Sequence, residues 1–278
     1  MRNYIFILIS GLIVFSCRPK PIDLKVQPAE SKLVVFTQVV PDHVMLVTLT
    51  KSFSPLSGNT EESLSSLLVS GATVKVTSNN QVYDFYELNP GVYASYSVVS
   101  FQAGQVFELT ASADGQTITS TSVMLDKVTF SAVTPRVEEF VADTNIFVDY
   151  SITDDPSQSN WYLINVYKKQ QVGTDFTNYF SNGSNVMSKS ILISDKEFSG
   201  SYSSTIELEN TFHNDSIAVT LSNISEQYFN YLGFRINNGS VLNQLNVEPI
   251  NYPTNIINGY GFFNTHFPDI HFYDLKDY

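Results

Sequence analysis

From residue 32 onward apolar and polar side chains mostly alternate. Leu33 to Val40 is rich in β-branched and aromatic residues, and Val44 to Thr50 resumes the pattern after Pro41-Asp42. Gly71 to Thr77 puts Ala72, Val74 and Val76 on one face, the period-two pattern of a half-buried strand. Asn79-Asn80 predicts a tight turn because asparagine tolerates positive φ, with Val82 to Leu88 as the returning strand. Asn89-Pro90-Gly91 turns the chain again into Val92 to Tyr96. Gln105 to Ala111, the Asp114-Gly115 turn and Thr117 to Leu125 bring the set to seven segments. Short strands at this spacing predict an immunoglobulin/fibronectin-like β-sandwich over residues 32–126, without the Cys-Trp-Cys hallmark of antibody domains. Ser52 to Ser70 reads as a polar insert with a helical turn or two within 61–68.

Asp126 to Pro135 reads as a connection to a second β-rich domain over residues 136–278. Its strands are expected at 146–152, 161–167, 191–193, 202–208 and 216–221, with loops at 154–156 and 170–185. Ser225 to Phe234 breaks the alternation. Tyr228, Phe229, Tyr231 and Leu232 recur at helical spacing, and Ser225 can cap the first turn. One short helix ending at Gly233 or shortly after follows, its aromatic stripe packed into the core. The tail from Val247 is rich in Asn and Pro and then strongly aromatic. The fold class is therefore all-β: an N-terminal sandwich, then a second β-rich domain with one short helix.

The first residues obey a different pattern. Arg2 precedes a twelve-residue apolar run, Tyr4 to Phe15, and then come Ser16 and Cys17. That is a secretory signal peptide over residues 1–16, cut between Ser16 and Cys17. It is too short for a spanning helix, which needs about 20 residues. Val14-Phe15-Ser16-Cys17 resembles a bacterial lipobox, with Phe15 bulkier than the usual occupant. The resemblance implies that Cys17 is lipidated on sulfur and acylated at its new amino terminus. Two or three acyl chains, at about 0.8 kcal/mol per buried methylene, make such an anchor stable. Residues 17–31 are then the lipidated cysteine and a tether carrying Pro19, Pro21 and Pro28. Its fourteen residues from Arg18 to Ser31 reach at most ~45 Å at about 3.2 Å each. Arg18, Lys20 and Lys25 are read as solvated rather than seated among anionic head groups.

Cys17 is the only cysteine, which excludes a disulfide scaffold, a cysteine-based zinc site and a cysteine nucleophile. Of the 278 residues, 15 are basic and 27 acidic; removing the signal takes away Arg2 alone and leaves a net charge of −13. Nucleic-acid binding needs a basic surface and is excluded.

Candidate chemistry is sparse. The histidines are His43, His213, His266 and His271. His266 and His271 share a stretch with Asp269, yet their spacing matches no zinc motif and Pro268 prevents a regular helix. Asp149, Asp154 and Asp155 offer oxygen ligands without the EF-hand pattern and are read as solvated loop carboxylates. No Gly-x-Ser-x-Gly elbow, Walker loop or His-Glu-x-x-His is present. Paired carboxylates for glycoside cleavage assemble in space, and the sequence singles none out. No catalytic residue, metal site or cofactor is predicted. Gly259 and Gly261 are expected to serve backbone geometry. The aromatic residues after them have two readings, core of the second domain or docking surface. Tyr260, Phe262 and Phe263 are put forward as the partner surface.

Several motifs line up along the chain. They are Val69-Ser70-Gly71-Ala72-Thr73-Val74, Pro90-Gly91-Val92-Tyr93, the stretch Gly104 to Thr110, Trp161-Tyr162-Leu163, Leu221 to Ser225, and Pro253 to Phe263. Together they resemble a family of Bacteroidetes lipoproteins defined by a domain of unknown function, DUF4249. Thr254 stands for the usual Ser and Asn258 for a Gly. The resemblance implies an outer-membrane lipoprotein, often encoded beside TonB-dependent receptors, and supplies no reaction or ligand. The expected function is thus a lipid-anchored, non-catalytic accessory or binding protein of a TonB-dependent system. A structural or adhesive surface module and an enzyme acting on glycans or peptides are the alternatives. Arg18-Pro19-Lys20 stands where an acidic surface-export signal would follow the cysteine, so the face of the outer membrane stays open.

Overall fold

The computed structural model describes residues 30–38, 44–52, 64–139, 144–169, 185–198, 200–238 and 253–278. Ser16, Cys17 and all of the tether before Glu30 lie outside these residues. Two compact units are separable. Met1–Glu30 with Ser54–Glu61 lies almost wholly outside the described residues, and Ser31–Phe53 with Glu62–Tyr278 carries everything below.

Among its described residues the second unit is all-β with one α-helix and two hydrophobic cores. Around the first run β1 (Leu33–Gln38), β2 (Leu46–Lys51), β3 (Thr73–Ser78), β4 (Gln81–Asn89), β5 (Val92–Ser95), β6 (Val106–Ala113) and β7 (Gln116–Val123). A three-residue strand from far along the chain, β14 (Tyr260–Phe262), completes an eight-stranded sheet in the order β14-β1-β2-β5-β4-β3-β6-β7. The predicted turns are present: Asn79 and Asn80 both take positive φ between β3 and β4, as do Asp114 and Gly115 between β6 and β7. The sheet curls where β4 changes partners. Residues 81–84 pair with β3 and residues 85–89 with β5. Inward side chains from both flanks therefore meet in one core, with Val35, Val47, Val76, Tyr93, Phe107 and Ile118 among its members. Between β2 and β3 the described residues include a short 3-10 turn, Leu64–Leu67.

Around the second core lie two separate sheets. One holds β11 (Asn185–Ser194), β10 (Trp161–Lys169), β13 (Ser216–Ile224) and β15 (Asp269–Asp274) in that order. The other holds β12 (Ser201–Leu208), β9 (Thr144–Thr153) and β8 (Phe130–Glu139). Strands β9 and β13 alternate or run apolar in register with their burial, and Ile164, Val148, Ile206 and Val219 fill the space between the sheets.

Two elements differ from the sequence reading. Residues 130–135, read as connection, belong to β8. Phe130 is buried in the second core, and Pro135 is tolerated because β8 is an edge strand whose outer side needs no N–H. The helix, α1 (Glu226–Asn238), runs past Gly233. Ser225 caps it as expected, its Oγ accepting from the Tyr228 N–H at 3.2 Å. Gly233 continues the helix with its α-carbon turned toward Leu192, where even a methyl group would make only ordinary contact.

Candidate functional site

The segment from Pro253 to Thr265 is where the sequence motifs and the geometry converge. Ile257 pairs with Thr119 of β7, its N–H donating to the Thr119 carbonyl at 2.8 Å. Three residues later Tyr260 to Phe262 pair in parallel with Val34 to Phe36 of β1. One short segment thus joins both edges of the curled sheet.

The residue types follow from that position. Phe263 donates its N–H to Asn255 Oδ1 at 2.9 Å and accepts from Asn255 Nδ2 at 2.7 Å. The Asn255 side-chain amide therefore acts as a one-residue strand partner. It also donates to the Thr121 carbonyl at 3.3 Å. Thr254 Oγ1 donates to the Gly261 carbonyl at 2.8 Å and accepts from the Ile256 N–H at 3.0 Å. Gly261 has a φ of +94°, and a Cβ there would stand 2.0 Å from the Val35 carbonyl oxygen. At Gly259 a Cβ would meet Ile118 and the Leu33 carbonyl at 2.7 Å each. Only glycine lets the backbone come this close. Ser122 and Thr37 continue the stitching. Ser122 Oγ accepts from the Thr265 N–H at 2.9 Å, and Thr37 Oγ1 donates to the Asn264 carbonyl at 2.8 Å.

This closure corrects the predicted partner surface. Phe263 is wholly buried in the first core, and Phe262 is buried beneath α1. Phe263 turns into the first core, whereas Phe262, opposite Phe36 in the pairing of β14 with β1, lies on the other side of the sheet where the helix covers it. Only Tyr260 of the three remains at the surface.

Helix α1 lays its aromatic stripe over that junction. The Tyr228 ring lies 5.1 Å and the Tyr231 ring 5.2 Å from Phe262, and Tyr231 reaches Phe36 at 6.3 Å. Arg235 stands 4.5 Å over the Phe36 ring. Tyr228 also stacks on His266 at 6.4 Å, whose Nδ1 lies 2.9 Å from the Asn264 amide nitrogen. Burial pushes the Tyr228 hydroxyl well above the usual tyrosine range and pulls His266 down to about 4. His266 is thus neutral near pH 7.

The other sequence candidates do not converge. His271 Nε2 contacts Asp269 Oδ2 at 2.9 Å, and the same oxygen accepts from the Phe130 N–H at 3.1 Å. Together they pin β15 to the start of β8. Asp154 is buried and accepts from the Tyr162 hydroxyl at 2.5 Å and from Asn160 Nδ2 at 3.2 Å. Asp155 is held low by the Ser157 hydroxyl and N–H, and Asp149 by Arg136 and Thr205. His213 is half-buried on the loop after β12, and His43 lies outside the described residues. Among the described residues, no three His, Cys, Asp or Glu side chains gather closely enough to hold a metal ion, and no helix is long and apolar enough to cross a membrane.

A surface that the sequence reading passed over lies on the outside of β4. Val82, Tyr86 and Leu88 project outward from alternate positions while Tyr83 and Phe85 face the core. The Tyr96 N–H donates to the Asp84 carbonyl at 3.0 Å, which sets the Tyr96 ring 5.0 Å from that of Tyr86. Tyr96 is 71% exposed, and Val98 beyond it is exposed as well. The available signal was a strand apolar on both faces in a sheet with solvent on one side.

The family profile described as domain of unknown function DUF4249 matches residues 19–266. No curated protein matches the chain. Among solved structures, a DUF4785 family protein from Legionella pneumophila subsp. pneumophila aligns over 65% of this chain and 48% of its own, at 9% identity and a TM-score of 0.19. The chain therefore spans about half the length of that protein, a likeness too slight to carry an argument.

Proposed function

The chain belongs to the DUF4249 family, a domain of unknown function, and we propose, from Cys17 and from what the family resemblance implies, a lipid-anchored outer-membrane binding protein acting without catalysis beside a TonB-dependent transport system. The observation that carries the anchor is Cys17, the sole cysteine, placed directly after an apolar run and a small residue. The partner-facing surface in this reading is the outer face of β4 with its tyrosine pair, since exposed aromatic side chains on a rigid sheet are the residues interfaces favour. Phe262 and Phe263 leave the proposal because they are buried.

A mild-detergent pull-down of the tagged lipoprotein from its own membranes tests this. The expected result is a stoichiometric TonB-dependent barrel in the wild-type sample and several-fold less of it with Tyr96→Ser. Capture of no barrel overturns the transport role and turns attention to adhesion or to hydrolysis of glycans and peptides. Cys17→Ser is expected to release the protein into the soluble fraction; retention in the membrane overturns the anchor.

A further inference from the structure

The end of the first sheet at which the tether joins carries an exposed apolar and aromatic corner. The Ser31 carbonyl accepts from Gln116 Nε2 at 2.8 Å and its hydroxyl donates to the Ser52 carbonyl at 2.7 Å. The junction between tether and sheet is therefore fixed at one end of β1. Tyr260 lies opposite Val34 in a parallel pair, so β14 enters the sheet from the end at which β1 begins. Gly259 lies against the Leu33 carbonyl, and just before it Ile257 pairs with Thr119 of β7. Asn258, at a φ of 65°, turns the corner. Ile257 is 62% exposed and Tyr260 44%, and the Lys32 ammonium stands 5.2 Å over the Tyr260 ring. The neighbouring Lys51 pairs with Asp114 at 2.6 Å, and among the described residues Lys32 is the cation set over Tyr260.

We propose that this corner is a membrane-contacting surface: Ile257 and Tyr260 enter the interfacial layer of the bilayer that holds the acylated Cys17, and Lys32 sits among its phosphate groups. The inference rests on the anchor reading above. Fourteen residues from Arg18 to Ser31 hold the junction within ~45 Å of the lipid, so a contact too weak to recruit a free protein operates at high effective concentration. The chemistry matches the interface. Tyrosine places a ring at the headgroup level with its hydroxyl in water, and lysine lays its stem along apolar surface with its charge at the phosphates. A net charge of −13 on the mature chain disfavours broad contact with anionic lipid, which confines the contact to this corner.

The test uses the full lipoprotein reconstituted into phosphatidylethanolamine and phosphatidylglycerol vesicles. With Cys17 acylated, Ile257→Cys introduces a unique thiol for an environment-sensitive dye, and Val82→Cys, exposed at the other end of the strands, is the control. Acyl-chain nitroxide lipids are expected to quench the dye at 257 several-fold more than at 82, and adding Lys32→Gln with Tyr260→Ser is expected to reduce that difference. Equal quenching at the two sites overturns the surface. Energy transfer between labelled copies that disappears on lipid dilution assigns the corner to a second copy instead and also overturns it. Mass analysis of the amino-terminal peptide separates the two failures: an unacylated Cys17 overturns the anchor itself.

Discussion

Around Val35 and Phe107 one sheet curls until its edges, β7 and β1, are joined through residues 257–262; around Ile164 and Val148 two separate sheets lie face to face. The first arrangement covers its strand edges, which are otherwise templates for unwanted pairing. It does so by demanding a fixed backbone path, which only glycine at 259 and 261 and an amide at 255 satisfy. The second keeps edge strands, among them β8 with its Pro135, and asks of its residues mainly apolar volume on the inner faces. Strict identity is therefore needed where backbones touch, and looser patterning suffices where side chains fill a gap.

The largest effect that separates these cases is expected from glycine. Gly261→Ala should cost roughly 4 kcal/mol or more, since its Cβ would fall on the Val35 carbonyl. Gly200, at a φ of +84° beside the second core with open space around it, should lose only about 1 kcal/mol as alanine. Urea unfolding midpoints compare the two, and equal losses would remove the closure account. Next, Phe263→Ala should cost about 3–5 kcal/mol and Leu275→Ala about 2–5. Calorimetry should show the Phe263 variant melting its first core ahead of the second. A single undivided transition would mean that the two cores unfold as one, and the contrast between them would then concern geometry alone.

Asn255→Ala strips partners from both the N–H and the carbonyl of Phe263. A loss of about 2–3 kcal/mol is expected by chemical denaturation, and a loss under ~0.5 kcal/mol would show that water replaces the amide at no cost. The His266 term is smaller. Its folded value of about 4 lies below the ordinary 6.5, so the unfolded chain binds the extra proton between those values. The contribution is complete above about pH 6.5 and is lost as pH falls toward 4, on the order of 2 kcal/mol for a ring that keeps one edge near solvent. His266→Gln should flatten that part of the stability–pH curve. Smallest of all, Tyr96→Ser should move stability by less than about 0.5 kcal/mol, so that any loss of barrel capture reports on binding.

Much of this could be read from the residues. The alternation over 71–77, the two tight turns and the Ser225 cap are local, and local chemistry decides them. Gly259 and Gly261 could be assigned to backbone geometry, but not to their partner, because β1 lies over two hundred residues away and no nearby pattern encodes that pairing. Phe262 and Phe263 look the same in sequence whether they face a core or a partner; the helix laid over Phe262 and the first core around Phe263 decide. Pro135 hid β8, since proline argues against a strand until the strand is known to be an edge. Tyr86 went unnoticed because a strand apolar on both faces resembles one that is buried on both.

The link between Thr37 and Asn264 spans 227 residues. During synthesis β1 through β7 emerge long before the segment that joins their edges, so the first core stays unsealed while most of the chain is being made. Contacts this distant also fold slowly, because loop closure must precede them. A domain whose seal arrives late keeps its first seven strands open to rearrangement until the last part of the chain is made.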